Sequence, residues 1–191
     1  MSRPALFLDR DGVINVDHGY VYRFDAVEFV GGIFELVAAA KKAGYLVVVV
    51  TNQAGIGRGY YSEADFHALM NWMKVRFIER GGQIDAVYFC PHHPEHGVGE
   101  YGRECDCRKP APGMLFQASR ELNIDLAQSV MVGDKASDME AARSAGVGIR
   151  CHYLASNDLT AFSTAATRRI CTLREGIALL INATVSSQDG A

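Results

Sequence analysis

The sequence lacks any apolar run that approaches the ~20 residues needed to span a membrane. It also lacks a secretory pattern at its N-terminus, since the apolar stretch Ala5 to Leu8 is short and charged residues follow it directly. The formal net charge is only -3, which gives no electrostatic basis for binding nucleic acid or a membrane surface. We therefore expect a cytoplasmic protein whose partner is a small molecule.

Internal repeats and long linkers are absent as well, and 191 residues with 49% hydrophobic content are enough to build one core. We expect a single domain over residues 1–184, a disordered polar tail over 185–191, and a monomer. The five cysteines are an odd number. In a reducing compartment, those that cluster suggest metal ligands before disulfides.

Apolar runs without polar alternation are typical of strands that are buried on both faces of a parallel sheet. Such runs lie at 6–8, 45–50, 84–89 and 129–132, with further ones at 147–151 and near 170. Between them, apolar residues recur at helical spacing, as in Ile33 to Ala43 and from Ser62 to about Arg80. These segments together predict an α/β fold.

Acidic residues follow two of the predicted strands directly. Asp9 and Asp11 stand one residue apart at the end of the first strand, and Asp134 and Asp138 follow the fourth. Ligands of open α/β sheets bind at the carboxyl ends of the strands, and two close carboxylates there repel each other unless a cation or a proton lies between them. For the first pair taken alone, a solvated aspartate-rich turn is the alternative.

Hydrogen-bond donors follow the second predicted strand. Thr51, Asn52 and Gln53 offer hydroxyl and amide groups, and a glycine-rich turn begins after Ala54. Such a turn can direct backbone N–H groups at an anion. A dinucleotide-binding fingerprint is the alternative, but the spacing of Gly55, Gly57 and Gly59 differs from it.

A Cys-x-His pair and a Cys-x-Cys pair bracket a charged, glycine-containing segment with little to build a core. These four residues match the number and type of ligands in a closed tetrahedral zinc site: Cys90, His92, Cys105 and Cys107. Metal binding would order a loop that has no hydrophobic means of doing so. The alternatives are a strained disulfide between Cys105 and Cys107 or plain reduced thiols, and His93 and His96 are further potential ligands that are more typical of the surface.

Two cations, Arg108 and Lys109, follow the last of these cysteines, and Pro110 stiffens the turn behind them. An Arg-Lys pair by itself is commonly solvated. Between a metal-bound loop and the start of a helix, it instead indicates an anion clamp.

Together these motifs resemble the four motifs of the haloacid dehalogenase superfamily of phosphatases. The resemblance covers about residues 5 to 150 and depends on Asp9-x-Asp11-Gly12, Thr51-Asn52, Lys109-Pro110 and Gly133-Asp134-x-x-x-Asp138. It implies a three-layer Rossmann-like fold with a mainly parallel sheet, helices on both faces, no large cap domain, and the zinc loop 90–107 as an insertion. Val13 departs from the threonine frequent at its position, which should leave the chemistry intact.

The resemblance also implies the chemistry. Asp9 would be the nucleophile that forms an aspartyl-phosphate, and Asp11 the general acid and base. Thr51 and Lys109 would hold the other phosphoryl oxygens. Mg²⁺ would be held by Asp9, the backbone carbonyl of Asp11 and Asp134.

The implied substrate contacts surround these acids: Asp17, His18, Gly19, Tyr20, Thr51, Asn52, Gln53, Ala54, Arg108, Lys109 and Lys135. Asp138 would orient its neighbours. The subgroup with this zinc loop implies a phosphatase that acts on a heptose bisphosphate, on the route to nucleotide-activated heptose and the lipopolysaccharide core. A histidinol-phosphate phosphatase is the alternative enzyme, and a non-catalytic phosphate-binding module is a third reading.

Overall fold

The chain builds a parallel sheet, and the computed structural model describes its residues 2–155 and 162–186. Within these ranges the strands are β1 Ala5–Leu8, β2 Leu46–Asn52, β3 Ala86–Cys90, β4 Val130–Gly133, β5 Ile149–Tyr153 and β6 Arg168–Ile170. They pair in the order β3-β2-β1-β4-β5-β6, and every neighbouring pair is parallel. The strand order reverses direction at β1, and such a switch point is where open α/β sheets bind ligands.

Helices cover both faces of this sheet. They are α1 Ile33–Lys42, α2 Ala54–Gly57, α3 Glu63–Glu79, α4 Gly113–Leu122, α5 Ala136–Ala145 and α6 Leu173–Ser186. Because side chains alternate along a strand, Leu6 and Leu8 join the core beneath α1, α3 and α6, whereas Ala5 and Phe7 join the core beneath α4 and α5. The three-layer α/β arrangement expected from the sequence is therefore confirmed.

The apolar faces predicted from helical spacing are the ones that the helices bury. In α1 these residues are Ile33, Leu36, Val37 and Ala40, and in α3 they are Phe66, Leu69, Met70, Met73 and Phe77. Ser62 and Asp65 form the capping box at the start of α3.

The glycine-rich segment after β2 differs from expectation, because it forms the short helix α2. The N–H groups of Arg58 and Gly59 donate to the carbonyls of Ala54 and Ile56 within this turn. Both N–H groups are thus hydrogen-bonded within the helical turn itself. These two N–H groups are therefore not available to an anion.

The segment between β3 and α4 has little regular structure, apart from a 3₁₀ turn at Gly99–Tyr101. At the other end of the chain, α6 runs to Ser186 and so enters the predicted tail 185–191, of which residues 187–191 lie outside the described part. None of the helices in the described ranges has the length and apolar character needed to cross a bilayer.

Phe77 anchors α3 to the core, and its removal should destabilise the fold. Its ring is fully buried and packs 5.0 Å from the ring of Phe34 and 6.1 Å from that of Phe29. We expect Phe77→Ala to lower the free energy of unfolding by about 3–5 kcal/mol, through lost burial and the cavity left behind. Urea unfolding would measure this change. Val75→Ala, at an exposed position of the same helix, should shift the free energy by less than about 0.5 kcal/mol, and equal losses would contradict the packing described here.

Candidate active site

A cavity of about 550 Å³ opens at the carboxyl edge of the sheet, where β1, β2 and β4 end. It is lined by sixteen residues: Asp9, Asp11, Asp17, Gly19, Tyr20, Asn52, Gln53, Ala54, Gly55, Tyr61, Arg108, Lys109, Pro110, Lys135, Ser137 and Asp138. Most of the residues singled out in the sequence therefore meet in one place.

A buried ion-pair cluster forms the floor of this cavity. The Lys109 ammonium donates to Asp9 Oδ1 at 2.8 Å and to the backbone carbonyl of Val50 at 2.8 Å, and it lies 2.6 Å from Asp138 Oδ1. Burial alone lowers the pKa of Lys109, but the carboxylates of Asp138 and Asp9 outweigh it and raise that pKa. Lys109 therefore stays protonated as a cation next to the proposed nucleophile.

Asn52 holds the backbone of Lys109 in place. Its Nδ2 donates to the Lys109 carbonyl and its Oδ1 accepts from the Lys109 N–H, both at 3.0 Å. These paired bonds connect the end of β2 to the segment before α4. Asn52 was expected to contact substrate, and although it lines the cavity, its amide is engaged with the protein.

Asp134 lies just beneath the cavity lining, against Gly12. A Cβ at Gly12 would come within 2.1 Å of Asp134 Oδ2, and Gly12 has a φ of +93°, so both space and conformation favour glycine there. Burial, followed by the charge of Asp9, raises the pKa of Asp134 to about 7. Asp134 Oδ1 is buried and has no hydrogen-bond partner among the described residues.

Magnesium fits this group of acids. Carboxylate oxygens of Asp9, Asp134 and Asp138 lie within 4.8 Å of one another, and Mg²⁺ takes oxygen ligands. The unpartnered Asp134 oxygen and the burial of like charges are both relieved by a cation. Asp138 already uses both of its oxygens, one toward Lys109 and one as acceptor of the Lys135 N–H, which leaves Asp9 and Asp134 as the side chains that would hold the ion.

The loop after β1 forms one wall of the cavity. Lys135 Nζ lies 3.1 Å from Asp17 Oδ2, which connects this loop to the start of α5. Burial alone would raise the pKa of Asp17, but the hydrogen bonds from Lys135 and from the Gly19 N–H, together with the charges of Lys135 and Arg10, outweigh burial and lower that pKa. His18 points elsewhere, since its Nε2 lies 3.1 Å from Glu28 on the exposed side of the loop and the residue is not part of the cavity lining.

The four predicted zinc ligands converge beside the active site. Cys107 Sγ lies 3.0 Å from Cys90 Sγ, 3.3 Å from Cys105 Sγ and 3.4 Å from His92 Nδ1. Burial raises the pKa of the Cys90 thiol, so a thiolate there needs a cation as partner. Three sulfurs and one imidazole nitrogen at these separations form the donor set of a closed structural zinc site.

The zinc site also orients Arg108. The guanidinium Nη1 donates to the backbone carbonyl of the ligand His92 at 3.2 Å, while the side chain lines the cavity. The metal loop thus presents a cation to the cavity at a position set by its own ligands. His93 and His96 lie outside the four-ligand cluster, with His93 Nε2 3.4 Å from Arg58 Nη2.

The remaining predicted and unpredicted residues complete the site. Thr51 is buried behind the lining and accepts a hydrogen bond from Gln53 Nε2 at 2.8 Å. Sequence reasoning missed several residues of the site: Gly55, Tyr61, Pro110 and Ser137 in the lining, and Arg10 behind it. The sequence did contain an indication for Arg10. A cation between two acidic residues at the end of a buried strand is expected to form an ion pair with one of them.

Comparison with known proteins agrees with this geometry. A family model described as HAD-hyrolase-like matches residues 106–150. A D-glycero-beta-D-manno-heptose-1,7-bisphosphate 7-phosphatase from Vibrio cholerae serotype O1 is 58% identical over 150 residues, which are 78% of this chain and 81% of the relative. A D-glycero-alpha-D-manno-heptose-1,7-bisphosphate 7-phosphatase from Burkholderia mallei is 52% identical over 180 residues, 94% of this chain and 95% of the relative.

A solved structure supports the same grouping. The D,D-heptose 1,7-bisphosphate phosphatase from B. bronchiseptica, complexed with magnesium and phosphate, superposes with a TM-score of 0.81 at 31% identity. The match covers 94% of this chain and 98% of that one.

Fold and site together define a phosphoric monoester hydrolase of the haloacid dehalogenase superfamily, with a magnesium site at the sheet edge and a zinc site in the loop. The identity to the curated relatives shows that the chain belongs to the family of D-glycero-D-manno-heptose-1,7-bisphosphate 7-phosphatases.

Loss of one zinc ligand should empty the zinc site. We expect purified protein to carry about one zinc per chain, and Cys107→Ala to lose the metal together with most of its activity, because the loop has no core of its own to hold Arg108 and Lys109. Metal analysis and a phosphatase assay would measure both effects. Cys171→Ala, at a cysteine outside the cluster, should keep its zinc. Zinc-free parent protein, or full activity in the Cys107 variant, would contradict the assignment.

Proposed function

We propose that this protein removes the C7 phosphate of D-glycero-D-manno-heptose 1,7-bisphosphate through an aspartyl-phosphate intermediate. The observation that carries the proposal is the Asp9 carboxylate at the cavity floor, 2.8 Å from a buried lysine and within 4.8 Å of Asp134, one oxygen of which has no hydrogen-bond partner in the described part of the chain. A nucleophile, an anion-binding cation and a magnesium position therefore meet at one point, as phosphoryl transfer requires.

In the first step, an oxygen of Asp9 forms a bond to the phosphorus, and the bond from phosphorus to the C7 oxygen breaks. The electron pair of that bond goes to the C7 oxygen, which takes a proton from Asp11 and leaves as the alcohol. Lys109 and the Thr51 hydroxyl hold the remaining phosphoryl oxygens. Magnesium, when bound by Asp9, Asp134 and the Asp11 carbonyl, supplies positive charge that offsets the charge of the phosphoryl group.

In the second step, a water oxygen forms a bond to the same phosphorus, and the bond to Asp9 breaks. Asp11, now ionised, takes the proton of the water, so that inorganic phosphate leaves and both acids return to their starting states. Asp11 is assigned to both steps because it lines the same cavity as Asp9.

The 1,7-bisphosphate carries a second phosphate remote from the reacting centre, and Arg108 is placed to bind it. Its guanidinium lines the cavity and is oriented by the His92 carbonyl, whereas Lys109 is engaged with Asp9 and Asp138. A guanidinium suits a phosphate because it offers paired donors. Histidinol phosphate, the alternative substrate, brings a positive amine that Arg108 would repel.

A non-catalytic phosphate-binding module is disfavoured by the acids themselves. A module that only binds phosphate gains nothing from burying Asp9, Asp134 and Asp138 beside the anion, since like charges oppose its binding.

The anomer of the substrate does not follow from the family, because the relatives include enzymes named for the alpha and for the beta bisphosphate. Rates for both anomers and for histidinol phosphate, measured side by side, would distinguish the substrates.

The enzyme is also proposed to act in the cytoplasm as a monomer, without a nucleic-acid or membrane partner. The near-balanced charge supports the last of these points, because it gives no electrostatic basis for binding nucleic acid or a membrane surface.

Asp9→Asn should lower turnover by more than about 10³-fold, because the amide cannot form the covalent bond to phosphorus. Release of inorganic phosphate from the bisphosphate would measure turnover. Zinc content and the circular dichroism spectrum should match those of the parent protein, since the substitution keeps the shape of the side chain. Hydrolysis near the parent rate would overturn the assignment of the nucleophile.

Arg108→Ala should lower kcat/KM for the bisphosphate by roughly 10- to 150-fold, since a hydrogen bond to a charged group contributes ~1.5–3 kcal/mol and ~1.4 kcal/mol corresponds to tenfold. Hydrolysis of a small aryl phosphate, which has no second phosphate, should change little. Equal losses on both substrates would place Arg108 at the reacting phosphate and remove this support for a bisphosphate.

A further inference from the structure

The carboxylate of Asp11 is surrounded by donors on its protein side. Arg10 Nη2 lies 2.8 Å from Oδ1 and 2.7 Å from Oδ2, and Arg10 Nε lies 3.1 Å from each oxygen. Asn15 Nδ2 donates to Oδ1 at 3.0 Å, and Gln53 Nε2 donates to Oδ2 at 3.1 Å. Side-chain contacts from three residues therefore fix the position and the orientation of the Asp11 carboxyl group.

Arg10 has no access to substrate. Its side chain is completely buried, it is not part of the cavity lining, and its guanidinium carbon lies 5.7 Å from the centre of the Phe66 ring. The same Nη2 that contacts Asp11 also donates to the Val21 carbonyl at 2.7 Å. A buried cation is unfavourable unless it is paired, and the carboxylate paired with this one is Asp11. The ion pair corresponds to ionised Asp11, which is the form that Asp11 takes in the proposed reaction once it has protonated the leaving oxygen.

The backbone of Arg10 helps to bring these groups together. Its carbonyl accepts the N–H groups of Ile14 at 2.8 Å and Asn15 at 3.1 Å, so the chain turns back on itself directly after β1. This turn places the Asn15 amide against Asp11.

Tyr61 fixes the amide of Gln53. The Tyr61 hydroxyl donates to Gln53 Oε1 at 2.6 Å, while Gln53 Nε2 donates to Asp11 and to Thr51 Oγ1. A carboxylate only accepts, so the amide nitrogen must face Asp11 and the amide oxygen must face Tyr61. The Tyr61 hydroxyl thus supports the orientation that Gln53 needs in order to hold Asp11.

We propose that Arg10 is a positioning residue for the proton-transfer step, holding the Asp11 carboxyl group at the leaving oxygen with the help of Gln53 and Tyr61. This inference rests on the proposed function, in which Asp11 protonates the leaving oxygen. It adds that the geometry of this proton transfer is set by a buried guanidinium that never contacts the substrate. If the Asp11 carboxyl group is mispositioned, kcat/KM should therefore fall most for substrates whose leaving group needs a proton.

The test is a series of substituted phenyl phosphates, from phenyl phosphate to 2,4-dinitrophenyl phosphate, hydrolysed by the parent and by Arg10→Lys. All members of the series share a phenyl phosphate core and lack the sugar, so sugar recognition does not affect the comparison. Along the series, the leaving group changes from one that needs a proton to one that does not. The lysine variant keeps the positive charge but loses the two-pronged contact. kcat/KM reports the steps up to departure of the phenol, so it isolates the first proton transfer from the hydrolysis of the intermediate.

We expect kcat/KM for phenyl phosphate to fall by about 100-fold in Arg10→Lys, and kcat/KM for 2,4-dinitrophenyl phosphate to stay close to the parent value. With the dinitrophenyl substrate, the variant should also release a burst of about one equivalent of phenol per active site, because Asp11 is then poorly placed to activate water in the second step. Tyr61→Phe should change the ratio in the same direction by a smaller factor.

Arg150→Lys is the matched control. That arginine lies near the amino end of β5 and donates to the backbone carbonyls of Ala165 and Val147, so its replacement should leave the ratio of the two substrates unchanged. Equal falls on both substrates in Arg10→Lys would overturn the inference and make Arg10 purely structural. If that variant fails to fold, an unchanged ratio in Tyr61→Phe would overturn it instead. A parent protein that cleaves no phosphate in the series would overturn the proposed function itself.

Discussion

The ammonium of Lys109, buried between the carboxylates of Asp9 and Asp138, is the contact on which the acidic edge of the sheet depends. It joins the end of β1, the start of α5 and the segment behind the zinc loop, which are remote from one another in the sequence. Removing one partner of such a pair leaves a buried charge uncompensated, which commonly costs several kcal/mol. The same contact places a cation beside the oxygen of Asp9 that is proposed to attack phosphorus. Stability and chemistry therefore depend on one geometry.

The zinc site solves a related problem for the segment between β3 and α4. This segment has few apolar residues, so the hydrophobic effect cannot order it, and three sulfurs and one imidazole instead converge within a few ångströms. The order reaches the cavity through two short links: Arg108 is held by the carbonyl of the ligand His92, and Lys109 is held by Asn52. A structural metal thus takes the place of a cap domain in shaping one wall of the site.

The acidic residues at the sheet edge have different roles. Asp138 is bound by the Lys109 ammonium and the Lys135 N–H, and Asp11 is enclosed by donors that hold it in place. Asp134 has a buried oxygen without a hydrogen-bond partner among the described residues, and this oxygen can bind a metal ion. Residues of one chemical type therefore have different surroundings, and their surroundings decide their roles.

The strands, the buried faces of α1 and α3, and the residue types of both metal sites could be predicted from the sequence alone, because periodicity and spacing are local properties. The carboxyl edge of a parallel sheet then implied that Asp9, Asp11, Thr51 and Asp134 would meet. Only the tertiary structure decided where side chains point. It turned His18 toward Glu28, formed a helix from the glycines after β2, brought Tyr61 into the cavity and buried Arg10 against Asp11. Each of these outcomes depends on partners brought together by folding, and a hydrogen bond or an ion pair has no local pattern that announces it.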